Sequence, residues 1–227
     1  MACILCIETS TNVCSAALCR DGEVLFNRED RSGPNHAERL GTYVDQALSY
    51  SDGRHLTIDA VAVSGGPGSY TGLRIGVSMA KGLCYGRDLP LVAVPTLLVL
   101  SAAAGRQGDA LLCPMLDARR MEVYAALYDG SLREVRPIHA DIVDGDTYHP
   151  WLDEGTVCFF GNGAAKCMDV ISHPNARLLR GIEPLASNMG VLAGQRLAEG
   201  KTEDVAYYEP FYLKAFVAGK PKTLLTT

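Results

Sequence analysis

Three strand-like segments follow one another before the first helix, and this order constrains the fold most. Residues 3–8 form an apolar run, residues 13–19 form a second, and an Asp-Gly pair at 21–22 leads into residues 23–26. Asp-Gly readily adopts the positive φ that tight hairpin turns need. The chain therefore opens with an antiparallel meander, which differs from the strand–helix alternation that begins a Rossmann-type domain.

Helices and strands alternate after this meander. Apolar residues at helical spacing predict helices over about 36–50 and 71–85, and a helical stretch over 96–104. Short apolar runs at 58–63 and 91–94 predict buried strands between them. The first half of the chain thus has the order βββαβαβα, which is typical of an α/β fold.

The second half repeats the opening pattern in a reduced form. The polar, glycine-containing segment 105–109 is the predicted boundary between an N-terminal lobe (1–105) and a C-terminal lobe (106–227). We therefore expect two related lobes, each with a mixed sheet flanked by helices. The elements predicted in the second half are strands at 111–116, 122–128, 132–135 and 156–160 and helices at 164–172 and 187–200.

Composition limits the class of partner. The 227 residues carry a net charge of -5, so a large sequence-independent grip on a nucleic-acid backbone is not expected from this chain. The N-terminus lacks a basic region, no apolar run has the length of a membrane span, and we expect a cytoplasmic protein without membrane contact. Of the eight cysteines, Cys3 and Cys6 form a C-x-x-C within a strand. They point to opposite faces, so we expect reduced core cysteines and no metal.

Two turns are suited to an anion. Residues 8–12 combine small hydroxylated side chains in a tight turn, and residues 64–74 place a glycine-rich turn before a helix. A purely structural turn explains either pattern as well. The candidate phosphate or nucleotide contacts are Thr9, Ser10, Gly66, Gly68 and Ser69.

The helix at 71–85 is apolar around most of its circumference, with Arg74 and Lys81 as its charged residues. A helix on one face of a sheet needs only one apolar stripe, so other apolar positions must be covered. Glycines 72 and 76, followed by Ala80 at the same spacing, would admit another helix closely. We predict an intermolecular helix interface here, although burial under the same chain also fits.

No catalytic constellation is visible. The five histidines form no H-x-x-x-H or H-E-x-x-H pair, and no serine lies in a G-x-S-x-G elbow. The charged cluster at 117–122 is explained as well by a solvated turn as by a site. The residues alone therefore give no catalytic or metal-ligating residue.

Four motifs together resemble the TsaB (YeaZ) family. They are I-E-T-S-T-x-x-C-S-A-A-L at the start, G-G-P-G-S-Y-T-G-L-R-I-G-V-x-x-A-K-G-L at 65–83, D-A-R-R-M-E-V-Y at 117–124 and E-P-F-Y-L-K at 209–214. The resemblance implies an actin/hexokinase/Hsp70-like (ASKHA) fold. It also implies paralogy to TsaD, the catalytic subunit that transfers a threonylcarbamoyl group to adenosine of tRNA. Glu8 departs from the aspartate common at its position, which weakens a phosphate or metal role there.

The resemblance also implies partners. TsaB-like proteins pair with TsaD, or with a second copy of themselves, through two helices that correspond to about 36–50 and 71–85 here. We expect assembly with TsaD and with the ATPase TsaE, and contact with tRNA only indirectly. ATP and a metal are expected mainly through TsaD and TsaE, with no cofactor in this chain. The predicted interface residues are His36, Leu40, Tyr43, Val44, Gly72, Ile75, Gly76, Met79 and Leu83.

The leading hypothesis is a non-catalytic scaffold and activator subunit. Thr96 and Leu100 stand where the resemblance places the histidine pair of TsaD, and leucine cannot coordinate a metal. The alternative is an active small kinase or phosphotransferase of the same fold that uses the turns at 9–12 and 66–69; a peptidase is a third reading. We expect Gly76→Arg or Met79→Asp to block dimerisation.

Overall fold

The computed structural model describes residues 2–33 and 35–214, which contain two five-stranded sheets. The first sheet is built from β1 (Cys3–Glu8), β2 (Cys14–Arg20), β3 (Glu23–Asp30), β4 (Ala60–Ser64) and β5 (Leu91–Val94). Its order is β3-β2-β1-β4-β5. Strands β1 to β3 are antiparallel, whereas β4 and β5 run parallel to β1. The predicted opening meander is confirmed.

The second sheet has the same topology. Its strands are β6 (Leu111–Asp117), β7 (Glu122–Tyr128), β8 (Glu134–Ile142), β9 (Val157–Phe160) and β10 (Ala176–Leu178). An antiparallel meander, β6 to β8, is again extended by two strands parallel to its first member. The molecule is therefore an α/β protein of the ASKHA type, with two related lobes, as the sequence predicts. Strand β10 was not predicted.

Helices α1 (His36–Gly53) and α2 (Tyr70–Arg87) cover one face of the first sheet. The opposite face packs on α3 (Thr96–Ala104), a short 3₁₀ helix (Ala186–Asn188) and α6 (Gly190–Ala198). Helix α3 also contributes Leu97 and Leu100 to the core of the second sheet, so it lies between the lobes. The remaining helices, α4 (His149–Leu152) and α5 (Ala164–Cys167), pack on the outer face of the second sheet.

The final helix packs on the first sheet, although the predicted division at residue 105 assigns it to the second lobe. Met189 and Ala193 bury against Ile4 and Cys6 of β1. That face of the first sheet is apolar and α3 alone does not cover it, so the chain returns to supply the cover. Helix α5 is one turn long, shorter than the predicted 164–172 helix.

The eight cysteines are free and buried. Cys3 and Cys6 belong to the cores on opposite faces of the first sheet, as the strand spacing predicts. Burial raises the pKa of Cys14 to about 11, with a further contribution from the carboxylates of Asp30 and Glu8. Within the described residues, no helix is both long enough and apolar enough to cross a membrane.

Thiols buried in the core should be unreactive until the chain unfolds. We expect the native protein to show no rapidly reacting thiol with an aromatic disulfide reagent at about pH 8, because the reagent needs an accessible thiolate. In denaturant, all eight cysteines should react. The absorbance of the released thiolate measures both numbers. Rapid reaction of even one thiol in the native state would contradict this burial.

Candidate functional site at the interlobe cleft and on helix α2

Two turns of the first lobe meet at one edge of its sheet. The turn 8–12 follows β1 and the glycine-rich turn 65–69 follows β4, and these strands are parallel neighbours. The Ser69 N–H donates to the Ser10 carbonyl oxygen at 2.7 Å. A Cβ at Gly68 would lie 2.4 Å from that oxygen, so only glycine allows the approach. The two turns therefore pack directly on each other.

The Glu8 carboxylate is fully buried and ties the first turn to β4. It accepts a hydrogen bond from the Ser10 N–H at 2.6 Å and a short one from the Ser64 hydroxyl. Burial raises the pKa of Glu8, and the hydrogen bonds from Ser10 and Ser64 oppose part of that rise. The carboxylate thus faces the interior of the lobe, where it stabilises the turn.

Thr9 packs against the first two turns of helix α2. Its hydroxyl donates to the Gly72 carbonyl oxygen at 2.7 Å. A Cβ at Gly72 would lie 2.1 Å from the Thr9 carbonyl oxygen, and one at Gly76 would lie 2.3 Å from the Thr9 hydroxyl oxygen. The small-residue spacing that continues to Ala80, which is also buried, therefore admits this chain's own turn. The prediction that these residues admit a helix of another molecule is wrong.

A cleft of about 680 Å³ lies between the lobes. Of the five predicted phosphate contacts, Ser10, Gly68 and Ser69 line the cleft, whereas Thr9 and Gly66 do not. The Ser69 side chain accepts from the Gly72 N–H and caps α2. The Ser10 hydroxyl oxygen is buried and has no hydrogen-bond partner among the described residues. The facing wall contains Leu116, Asp117, Ala118, Arg119, Tyr124 and Asn162, and residues 211–214 complete the lining.

Gly66 packs against the C-terminal segment of the described chain and does not itself line the cleft. Its φ is +101°, and a Cβ there would lie 2.4 Å from the Phe211 carbonyl oxygen. The Phe211 N–H donates to the Gly65 carbonyl oxygen at 2.7 Å. This glycine therefore lets residues 203–214 cross the first lobe, and a side chain would push that segment away.

The turn between β6 and β7, residues 117–122, is called the second hairpin tip. It is held by contacts that the sequence does not reveal. The Lys166 ammonium donates to the Asp117 carboxylate and to the Arg120 carbonyl oxygen, at 2.5 Å each. The Asp117 N–H donates to the Asn162 side-chain oxygen at 2.9 Å. Partial burial is the largest single influence on Asp117 and raises its pKa, but the hydrogen bonds from Lys166 and the Arg119 N–H, together with the charges of these two residues, outweigh it and lower the pKa. Since Asn162 and Lys166 lie 45 and 49 residues further on, the local pattern could not pair them.

The structure divides the nine predicted interface residues into two groups. His36, Leu40, Val44, Gly72 and Gly76 are buried in the first lobe, so they cannot contact a partner directly. The remaining four, Tyr43, Ile75, Met79 and Leu83, are partly exposed. The periodicity identified the apolar positions of α1 and α2, but it could not tell which of them the sheet already covers.

The partly exposed residues of α2 form its outer face. Ile75, Met79 and Leu83 line a shallow groove of about 730 Å³, together with Tyr70, Thr71, Arg74, Ser78 and Gly82. Tyr85, which is 87% exposed, adds a further large side chain near the C-terminal end of the helix, in a neighbouring pocket that also includes Gly82. Tyr85 is not among the predicted interface residues. We refer to Ile75, Met79, Leu83 and Tyr85 as the outer face of α2.

The two residues that stand where the resemblance places the histidine pair of TsaD lie inside the protein. Thr96 and Leu100 are fully buried in α3. His36, at the start of α1, places its Nε2 2.8 Å from the Thr11 carbonyl oxygen. In residues 2–33 and 35–214, no three His, Cys, Asp or Glu side chains are grouped so as to hold a metal ion.

The two sides of α2 should respond oppositely to the same substitution. Gly76→Ala should lower the free energy of unfolding by about 1–3 kcal/mol, because the new methyl group overlaps the hydrogen-bonded Thr9 hydroxyl. Gly82→Ala is the matched control, since no atom lies within 4 Å of its Cβ position. It should raise stability by about 0.5–1 kcal/mol through helix propensity. Urea unfolding measures both, and equal effects would contradict this orientation of α2.

Comparisons with known proteins agree with the sequence resemblance. The family model described as "TsaD: tRNA N6-adenosine threonylcarbamoyltransferase" matches residues 30–149. The Escherichia coli (strain K12) "tRNA threonylcarbamoyladenosine biosynthesis protein TsaB" is 35% identical over 227 residues, 96% of each chain. Its namesake from Bacillus subtilis (strain 168) is 40% identical over 137 residues, 59% of each chain. The structure of YeaZ from Pseudomonas aeruginosa matches with a TM-score of 0.81 and 29% identity, covering 94% of this chain and 100% of that one. This chain belongs to the TsaB family.

Proposed function

We propose that this chain is a non-catalytic subunit that pairs with a TsaD-type transferase in forming N6-threonylcarbamoyladenosine on tRNA. The names of its relatives concern threonylcarbamoyladenosine biosynthesis, and the proposal extends that role to this chain. In this role it acts as a scaffold that holds the transferase in an active arrangement. The complex also contains a TsaE-type ATPase and works in the cytoplasm.

The outer face of α2 carries the proposal. Its apolar side chains are continuous along the helix, and Tyr85 at its end is almost fully exposed. Scattered apolar residues are ordinary on a protein surface, but a continuous row along one helix marks an interaction site. Tyr43 of α1, a helix in contact with α2, is also partly exposed. A partner helix laid on this surface would bury it, and a second copy of the chain can occupy it in isolation.

The residues at the positions where the resemblance places the histidine pair of TsaD support a non-catalytic role. Leu100 offers no ligand to a metal, and Thr96 beside it is buried in the same helix. Glu8, the one carboxylate between the two turns of the first lobe, is held by Ser10 and Ser64. In the proposed complex, ATP and the metal therefore bind mainly to the TsaD-type and TsaE-type subunits.

A kinase or phosphotransferase of the same fold is the second candidate, and the interlobe cleft favours it. The cleft has room for a nucleotide, and one of its lining residues is Ser10, whose buried hydroxyl has no hydrogen-bond partner among the described residues. The carboxylate on the facing wall, Asp117, is ion-paired with Lys166 and is poorly placed to act as a base. A phosphate contact through Ser10, Gly68 and Ser69 remains a proposal within either function.

Association through α2 is tested by placing a charge on its outer face. Mixing this chain with its cognate TsaD-type subunit should give a complex and restore threonylcarbamoyladenosine formation on tRNA, whereas each protein alone should give neither. Met79→Asp should weaken the complex at least about a hundredfold, near 3 kcal/mol, because the carboxylate would be buried without a partner. Sedimentation velocity and nucleoside analysis of the tRNA measure the two effects.

Val191→Asp is the matched control, because Val191 is an exposed apolar residue on α6, against the opposite face of the first sheet. It should leave the complex intact, and both variants should keep the melting temperature of the parent. The sequence predicts that Gly76→Arg blocks dimerisation without unfolding the chain. This variant is unsuitable as a test of the interface, because Gly76 packs against Thr9 inside the lobe. Full association of Met79→Asp would overturn the assignment of the outer face.

A further inference from the structure

Two successive arginines at the second hairpin tip have an unusual backbone conformation. Arg119 has a φ of 73° and Arg120 a φ of 50°. Glycine and asparagine adopt this left-handed region far more readily than a long side chain does. Residues kept in a disfavoured conformation often belong to binding sites. The tip therefore carries arginine where local preference favours other residues.

Contacts to the backbone hold the tip in this conformation. Lys166 donates to the Arg120 carbonyl oxygen, and the Asp117 carboxylate accepts from the Arg119 N–H at 2.9 Å. The Arg119 carbonyl oxygen accepts from the Glu122 N–H at 3.0 Å. None of these contacts uses a guanidinium group. The hairpin is thus fixed independently of the two side chains it presents.

Both arginine side chains are available for a ligand. Arg119 and Arg120 are exposed, and within residues 2–33 and 35–214 neither guanidinium makes an ion pair or a hydrogen bond. The neighbouring carboxylates already have partners, since Asp117 pairs with Lys166 and Glu122 pairs with Lys214. Two unpaired cations side by side in a chain of net charge -5 suit an anionic ligand.

The surroundings favour a nucleic acid as that ligand. Arg119 lines the interlobe cleft together with Tyr124 and Tyr212, whose rings can stack on bases. Tyr70, at the start of α2, lines the same cleft and also the groove of the outer face. A partner docked on α2 therefore borders the cleft that Arg119 lines, so that an RNA held by that partner can reach the hairpin tip.

We propose that Arg119 and Arg120 bind phosphate groups of the tRNA backbone in the complex with the TsaD-type subunit. The inference rests on the proposed function, and it adds a direct contact where the sequence led us to expect only an indirect one. Guanidinium groups bind phosphate oxygens through paired N–H donors, so the contact positions the RNA without reading its sequence.

Removal of both charges tests the contact. In the assembled complex, Arg119→Gln/Arg120→Gln should weaken binding of fluorescently labelled bulk tRNA about tenfold or more. The slope of log affinity against log salt should fall by about 1.4–1.8, since each lost phosphate contact removes about 0.7–0.9. Arg177→Gln/Arg180→Gln removes two exposed arginines elsewhere on the second lobe and should leave affinity and slope unchanged. Wild-type affinity and slope in the Arg119/Arg120 variant would overturn the proposal.

A second variant separates binding from folding. Arg119→Asn/Arg120→Gly installs residues that suit the left-handed conformation, so the melting temperature should rise by about 2–4 °C. Binding of tRNA should nevertheless fall as in the glutamine variant. If the two arginines had only a structural role, a higher melting temperature would not be accompanied by weaker binding of tRNA. Retained tRNA affinity, or a lowered melting temperature, would count against the proposal.

Three further measurements identify the ligand and keep the two proposals separate. Sedimentation of each variant with the TsaD-type subunit should show an intact complex, and a complex weakened by the arginine substitutions would assign them to the protein partner instead. Inorganic pyrophosphate should not compete with tRNA at equal phosphate concentration, because competition would point to a nucleotide phosphate. Titration of tRNA into the free chain at low salt should show a weak arginine-dependent affinity. That result would keep this inference even if the complex fails to form.

Discussion

The contact between Thr9 and two glycines of α2 determines how the rest of the first lobe is arranged. Gly72 and Gly76 let the helix lie on the backbone and hydroxyl of Thr9, closer than any side chain would permit. The rotation of α2 about its axis is fixed by that approach. Ile75, Met79 and Leu83 then lie at the flank of the helix, where they pack partly against the first-lobe core and are partly exposed in the groove. The surface proposed for a partner is thus a consequence of packing at the base of the helix.

The second lobe repeats this arrangement with a different outcome. Gly161 and Gly163 approach the end of β6 as closely as the first lobe's glycines approach their turn, with a Cβ position at Gly161 only 2.4 Å from the Met115 carbonyl oxygen. The helix that follows, α5, is a single turn, so no long apolar helix face is presented. Its Lys166 instead reaches back to the hairpin tip. Close packing of glycines against a turn or strand end therefore positions an apolar helix face in the first lobe and a pair of arginines in the second.

The sequence predicted the topology well, because strand patterns and hairpin turns are local. The apolar run at the start, the Asp-Gly turn and the glycine-rich turn each depend on neighbouring residues, and the structure has them as expected. The orientation of α2 could not be predicted, since glycine spacing indicates close approach without saying to what. The contact of Lys166 with Asp117 and the return of α6 to the first sheet depend on residues far apart in the chain. No local pattern carries that information.

Net charge decides how the hairpin arginines can act. Binding free energy from counterion release grows with the number of phosphates contacted, and two contacts give a small part of what six to ten provide. The remaining surface of a chain with net charge -5 repels an RNA backbone. Arg119 and Arg120 can therefore orient an RNA that another subunit holds, but alone they bind it too weakly to recruit it at physiological salt. The arginine hairpin depends in this way on the outer face of α2, because the partner bound there must bring the RNA to the cleft.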